Sequence, residues 1–320
     1  MNFPNTIDFS HGISAIDAQY HRPGRAAIHL IVEGGVAAIV DTGTKFSIPG
    51  VIAVLEQKQI SLEKVAYVFL THIHLDHAGG ASELMRLLPN AQLVVHPRGA
   101  KYMINPAKLI AGVKAVYGEA EFARLYGEIY PIDASRVIEA PDETCIELNG
   151  RQLLLLDTPG HARHHYCIFD AQSQSFFTGD TFGVSYRELD VNGLEFVFPT
   201  TTPVQFDPDA AHASIDRIMS FYPQFAFLAH YSRISNLSHH AQQMHALIDA
   251  FVDIANRAMT ENERHRYIVQ EIQALLGQRL QAHGCKLLPE AIFDLLKVDI
   301  KLNTLGLETW LDQAETSNKS

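Results

Sequence analysis

The sequence predicts an α/β protein, built as a four-layer αβ/βα sandwich over about residues 8 to 235 and followed by a helical extension. Two sets of short apolar runs each alternate with helix-like patterns, which is typical of sheets covered by helices. Histidine and aspartate side chains follow the ends of several of these runs. Beyond residue 237 the strand pattern disappears and helical spacing replaces it.

The first strand set begins with a hairpin. Residues 26 to 41 form two apolar runs that are separated by Glu33-Gly34-Gly35, a turn signal between buried strands. Alternating helices and strands then follow, namely a helix over 48–57, a strand over 65–70, a helix over 81–88 and a strand over 92–96. This order is typical of parallel strands joined by crossover helices.

The middle of the chain contains a predicted cap and the second strand set. Residues 97–137 have mainly helical spacing, which predicts a helical cap insertion. Strand patterns resume over 144–180, with Asn149-Gly150 as a hairpin turn. Asp207 and Pro208 then begin a helix to about 221, and a strand covers 225–229.

The C-terminal part of the chain is predicted to be helical to about residue 312. Thr260 and Glu263 match the capping box that begins a helix. We divide the chain into a main domain, 1–237, and an extension, 238–320. Because no flexible linker precedes the extension, we expect it to pack on the main domain.

Composition narrows the possible partners. The chain carries 25 basic and 36 acidic side chains, a net charge of -11, which disfavours nucleic acid. The start lacks the pattern of a signal peptide and no apolar run is long enough to span a membrane, so we expect a cytoplasmic protein with no membrane partner. Three scattered cysteines indicate neither a disulfide framework nor a thiolate metal cluster. The oligomeric state is left open.

The segment THIHLDHAGG, residues 71–80, carries the strongest chemical signal. His72 and His74 alternate in an extended segment, so both can bind one metal ion. Asp76 and His77 follow where the chain bends into a helix and can reach a second ion. Burying four such groups without a metal would cost several kcal/mol, roughly. The segment therefore predicts half of a dinuclear site.

Three later stretches place further metal-binding side chains after strands. They are DTPGH with His161, FTGD with Asp180 and FLAH with His230. With the HxHxDH motif, this order over residues 25–232 resembles the metallo-β-lactamase superfamily, in its thioesterase, hydroxyacylglutathione-hydrolase or lactonase-like branch. The resemblance implies that one ion is held by His72, His74 and His161, that the other is held by Asp76, His77 and His230, and that Asp180 bridges them.

Other polar residues receive supporting or competing roles. The resemblance also implies that Asp41, in a DTG turn, orients a ligand imidazole and that His165 supports the site from behind the ligands. His239 and His240 compete with His230, which is favoured because it follows a strand. The remaining histidines in question, His96, His212 and His245, are assigned structural roles.

The chemistry implied is hydrolysis. Two divalent ions, zinc first and iron or manganese as alternatives, would generate a bridging hydroxide that attacks a small ester, thioester or lactone. Asp76 could also transfer a proton. Tyr186, Arg187 and Tyr231 follow predicted ligands and are candidates for substrate contact. The alternatives are a phosphodiesterase, a non-haem iron oxidoreductase resembling persulfide dioxygenases, and a metal-holding binding or signalling protein.

Overall fold

The computed structural model describes residues 5–201 and 203–317. The chain divides into two compact units. The first contains Met1–Asp157, His164–Gly179 and Pro223–Arg233. The second contains Ile234–Ser320, which includes the predicted extension 238–320, together with Thr158–Arg163 and Asp180–Tyr222.

Two sheets form the first unit. Within the described residues, the first sheet has its strands in chain order: β1 Thr6–Asp8, β2 Ile13–Asp17, β3 Ala27–Glu33, β4 Val36–Val40, β5 Val65–Phe69, β6 Gln92–Val95 and β7 Val137–Glu139. Pairing is antiparallel from β1 to β4 and parallel from β4 to β7. The change follows the sequence, because a tight turn joins β3 to β4 whereas helices join the later strands.

The second sheet uses the later strand patterns. Its strands are β8 Thr144–Leu148, β9 Arg151–Asp157, β10 Tyr166–Asp170, β11 Ser175–Gly179, β12 Phe225–Leu228 and β13 Ser232–Ile234, in the order β13-β12-β11-β10-β9-β8. Strands β8 to β11 pair antiparallel and β11 pairs parallel with β12. Asn149 and Gly150 both have positive φ, as the predicted turn requires.

Helices connect these strands and form most of the second unit. Their bounds are α1 Ile48–Gln57, α2 Leu75–Ala78, α3 Ala81–Leu87, α4 Pro97–Ile104, α5 Ala107–Tyr117, α6 Glu119–Leu125, α7 Pro208–Met219, α8 Leu237–Ala258, α9 Arg264–His283 and α10 Pro289–Ser317. The Asp207 side chain accepts the backbone N–H of Ala210 at 3.1 Å, which confirms the predicted start of α7.

Two apolar cores hold the first unit together. Ile28 and Leu30 of β3 belong to a core shared with Val51 and Leu84 of the helices. Ile31, also on β3, belongs to the core that contains residues of both sheets. Because alternate side chains of a strand point to opposite faces, β3 is buried on both sides. The expected fold class, with two facing sheets and a helical C-terminal extension, is confirmed.

Several local expectations need correction. Strands β1, β2, β7 and β13 had no predicted counterpart, and β7 begins at the last residue of the predicted cap. The capping box at Thr260 and Glu263 is wrong. Helix α9 has Glu263 at its N-cap with no side-chain cap, while the Thr260 hydroxyl donates to the Arg257 carbonyl at 3.1 Å and thereby completes the end of α8.

Over residues 5–201 and 203–317, none of the helices combines the length and the apolar character needed to span a bilayer.

Candidate metal centre

The HxHxDH segment follows β5 and carries its side chains into one cluster of the first unit. His72 is fully buried, and its ring centre lies 4.4 Å from that of His74 and 4.3 Å from that of His77. The alternation predicted for His72 and His74 therefore brings their rings together, with nearly perpendicular planes.

Asp76, His77 and His230 form a compact group in the same unit. One potential ligand atom from each lies within 4.8 Å of the other two. The Asp76 Oδ2 is 3.5 Å from Nε2 of His77 and 3.5 Å from Nε2 of His230. His77 and Asp76 reach this position from the short helix α2, and His230 reaches it two residues after β12.

Oxygen acceptors hold the far sides of these imidazoles. His230 Nδ1 lies 2.8 Å from the Arg25 carbonyl, and His77 Nδ1 lies 3.3 Å from Asp41 Oδ2. Since these oxygens can only accept, each Nδ1 carries a proton, which leaves Nε2 as the ring nitrogen that faces the cluster. The expected contact between Asp41 and an imidazole is present in the structure.

Asp41 also holds Thr71, the residue before His72. Its carboxylate accepts the Thr71 backbone N–H at 2.8 Å and the Thr71 hydroxyl at 2.9 Å. Because that hydroxyl donates to Asp41, its lone pairs can accept from His72 Nδ1, which is 3.2 Å away. One carboxylate thus orients two histidines, one directly and one through Thr71.

The second unit carries the remaining pair of predicted ligands. His161 Nε2 lies 3.4 Å from Asp180 Oδ2, and His161 Nδ1 donates to the Thr200 carbonyl at 3.1 Å. Gly160 is required in this turn, because a Cβ on it would lie 2.4 Å from Cα of Ala211 in α7.

The spacings in both units fit metal ligation. Two atoms bound to one tetrahedral zinc at about 2.0–2.1 Å are about 3.3 Å apart. The three Nε2–carboxylate distances, 3.4, 3.5 and 3.5 Å, lie near that value and exceed an ordinary hydrogen bond. Imidazole and carboxylate donors also suit zinc, iron or manganese. The residues therefore fit divalent metal ions.

The charge of Asp76 agrees with a ligand role. Burial would raise the pKa of its carboxyl, but the neighbouring His77 and His230 outweigh that effect and hold the pKa well below its ordinary value. Asp76 is consequently ionised at neutral pH, although 24% of its side chain is exposed.

His165 packs against the predicted ligand His72. It is fully buried, and its ring stacks on that of His72 with centres 4.9 Å apart. Gly179 makes room for it, because a Cβ there would lie 2.5 Å from His165 Nε2. Sequence reasoning missed His164, whose ring meets that of His74 edge-on at 5.5 Å. It also missed the carbonyls of Arg25 and Thr200, since a backbone acceptor has no signature in sequence.

Other histidines that the sequence analysis considered have polar partners of their own. His240 Nε2 faces Glu195 Oε2 at 3.4 Å. His96 caps α4 by accepting the Arg98 backbone N–H at 3.0 Å. Among the described residues, neither His239 nor His240 joins a group of three possible ligands. The geometry thus favours His230, as expected from its position after a strand.

The candidates for substrate contact have structural partners. Tyr186 is fully buried and its hydroxyl donates to Asp299 Oδ1 at 2.9 Å, which favours a packing role. Tyr231 is 4% exposed and packs with Ala15 and Ala27. Arg187 is half-buried and lies 3.5 Å from Asp190. The substrate contacts of Tyr186, Arg187 and Tyr231 stay a prediction.

Comparison with known sequences finds a matching family and several similar proteins. The family model described as "Metallo-beta-lactamase superfamily" matches residues 21–230. The "Metallo-beta-lactamase fold-containing protein ST1585" of Sulfurisphaera tokodaii is 29% identical over 240 residues, which are 73% of this chain and 83% of that protein. Human "Acyl-coenzyme A thioesterase MBLAC2" is 24% identical over 182 residues, covering 53% of this chain and 63% of the relative.

Solved structures agree on the fold. The metallo-beta-lactamase family protein TTHA1429 from Thermus thermophilus superimposes with a TM-score of 0.67, covering 95% of this chain and 94% of that protein. Its sequence identity is 18%, so the likeness concerns the fold alone.

Proposed function

Because the chain belongs to the metallo-beta-lactamase superfamily, we propose that it is a metal-dependent hydrolase of a small acyl thioester or related ester or lactone. One observation carries the proposal. His77, His161 and His230 each place Nε2 at 3.4–3.5 Å from a carboxylate oxygen. The Nδ1 atoms of His161 and His230 contact backbone carbonyls, and that of His77 contacts the Asp41 carboxylate. The name of the human relative, an acyl-coenzyme A thioesterase, supports the choice of a thioester.

The proposed ligand sets are those that the family resemblance implies. One ion is held by His72, His74 and His161, the other by Asp76, His77 and His230, with Asp180 between them. The convergence of Asp76, His77 and His230 supports the second set. Zinc is the first choice, with iron or manganese as alternatives.

The chemistry divides between the ions and the protein. When bound, two divalent ions supply a water of lowered pKa and polarise the scissile carbonyl. Asp41 and the carbonyls of Arg25 and Thr200 keep the imidazoles in one tautomer and one orientation. Asp76, ionised and partly exposed, is the carboxylate to which we assign proton transfer.

The C-terminal helices are proposed to select the acyl group. Helix α10 contacts the segments on either side of the Thr200 carbonyl, since the Asn303 side chain accepts the Thr201 N–H at 2.6 Å and donates to the Pro199 carbonyl at 3.2 Å. Apolar substitutions along residues 241–255 of α8 are expected to change the ratio of activities on short and long acyl chains without removing metal. Unchanged ratios would refute this part of the proposal.

Metal analysis combined with a substrate panel tests the main proposal. We expect two ions per chain, and turnover of acyl-coenzyme A thioesters that chelation abolishes and the metal restores. Aryl esters, lactones and a phosphodiester complete the panel. Preference for the phosphodiester, oxygen-dependent turnover with iron, or no turnover by the loaded protein would each select one of the alternative functions.

A pair of variants tests the ligand assignment. Asp180→Ala should lose turnover and metal while keeping the circular dichroism of the parent, because the carboxylate lies in the site rather than in the core. Glu188→Gln, at an exposed carboxylate in the same segment, is the matched control and should retain both. Full activity of Asp180→Ala at full metal loading would reject the assignment.

A further inference from the structure

Helices α7 and α8 of the second unit carry the same short pattern. In each, a histidine precedes an aspartate by four residues, so both side chains lie on one helix face: His212 with Asp216 on α7, and His245 with Asp249 on α8. The histidine side chains are 27% and 29% exposed. None of the four belongs to the ligand set proposed above, and the sequence had indicated only structural roles for the two histidines.

The four side chains form a continuous chain of polar contacts. His212 Nδ1 lies 2.6 Å from His245 Nδ1. His212 Nε2 lies 3.0 Å from Asp249 Oδ1, and His245 Nε2 lies 3.2 Å from Asp216 Oδ1. Each histidine therefore contacts the aspartate of the other helix. The two rings are nearly parallel, at 11°.

The hydrogen bonds among these four side chains leave one proton position, between the two histidines. A carboxylate can only accept, so each Nε2 carries a proton and donates to its aspartate. The two Nδ1 atoms face each other, and a separation of 2.6 Å has room for one proton between them. A cation that replaced this proton would meet two imidazole lone pairs, each supported on the opposite ring nitrogen by a carboxylate.

We propose that His212 and His245 form a second, surface transition-metal site through their Nδ1 atoms. A histidine that binds a metal usually donates its other ring N–H to a carboxylate, and here both do. Ligation at about 2.0–2.1 Å requires the two Nδ1 atoms to be about 3.3 Å apart, an opening of about 0.7 Å that two half-exposed rings can make by small side-chain rotations. Solvent supplies the remaining ligands.

The donor set specifies the class of ion. Two imidazoles suit Zn²⁺, Ni²⁺ and Cu²⁺, whereas Mg²⁺ and Ca²⁺ prefer oxygen ligands. The two aspartates add negative charge next to the rings and so favour the cation further. The site does not depend on the reaction that the protein catalyses.

Counting bound zinc tests the site on the full-length protein, loaded with its other metals. The parent should bind one Zn²⁺ per chain more than His212→Gln or His245→Gln, and both variants should lose the same ion. His265→Gln is the matched control, because exposed His265 contacts Glu308 at 3.0 Å and, within residues 5–201 and 203–317, has no recorded contact with a second histidine. Equal stoichiometry and affinity in parent and variants, or an equal loss in the control, would overturn the proposal.

Two further measurements identify the ligands. With one equivalent of Cu²⁺ added to protein that carries zinc in its other sites only, electron paramagnetic resonance should show coupling to two nitrogens in the parent and not in either glutamine variant. Asp249→Asn keeps both rings and removes one supporting carboxylate, so it should weaken Zn²⁺ binding about 10-fold or more. Retention of the two-nitrogen signal in His212→Gln would assign the ion to other residues.

Discussion

Buried His29 predicts a specific dependence of stability on pH. It lies in β3, is 2% exposed, and meets the rings of Phe177 and Phe227 edge-on, each at 5.4 Å. Burial lowers its pKa from 6.5 to about 3. The folded state therefore keeps His29 neutral at pH values where the unfolded chain protonates it.

The size of the effect follows from the two pKa values. Because the folded pKa is the lower one, this contribution to stability is complete above about pH 6.5 and is lost as the pH falls towards 3. Each pH unit inside that window costs about 1.4 kcal/mol. Between pH 7 and pH 5 His29 should lower the free energy of unfolding by about 2 kcal/mol.

Urea denaturation of metal-free protein at pH 7 and pH 5 measures this contribution. Other groups titrate over the same range, so the useful quantity is the difference between the parent and a variant without an ionisable side chain at this position. His29→Phe and His29→Gln should each lose about 2 kcal/mol less than the parent on acidification, whatever their stability at pH 7. Equal losses in all three proteins would show that the folded state admits the proton, and would refute the reasoning.

Three substitutions test other parts of the structure. Asp41→Asn should weaken metal binding about 10- to 100-fold, or about 1.4–2.7 kcal/mol, because the Asp41 carboxylate contacts both His77 and Thr71. Competition with a chromophoric chelator measures the affinity, and an unchanged affinity would contradict the prediction. Gly179→Ala should lower the free energy of unfolding by at least about 2 kcal/mol, since the new Cβ meets His165 at a positive φ. Asn303→Ala should cost about 1–3 kcal/mol in urea denaturation by leaving a buried N–H without its acceptor, and a loss within experimental error would show that water replaces the side chain.

Periodicity and turn chemistry were sufficient to predict most of the framework. The hairpin of β3 and β4, helix α1 over Ile48–Gln57 and the start of α7 at Pro208 follow from local signals, namely paired glycines, apolar spacing, and an aspartate before a proline. The short strands β1, β7 and β13 escaped notice. Each has only three residues, and a strand of that length is stabilised by its neighbours in the sheet rather than by its own sequence.

Local sequence was enough to single out candidate metal-binding residues, because four ionisable side chains between residues 72 and 77 after an apolar strand have few other physical explanations. It also favoured His230 over its competitors, since the end of a strand is a fixed position in a sheet, and His230 lies in a group of three possible ligands. The tautomers of the imidazoles, in contrast, depend on tertiary contacts. The backbone carbonyls of Arg25 and Thr200 hold His230 and His161. Every residue has such a carbonyl, so only the fold decides which of them contacts a histidine. The same holds for His212 and His245, which are 33 residues apart and meet only because α7 packs on α8.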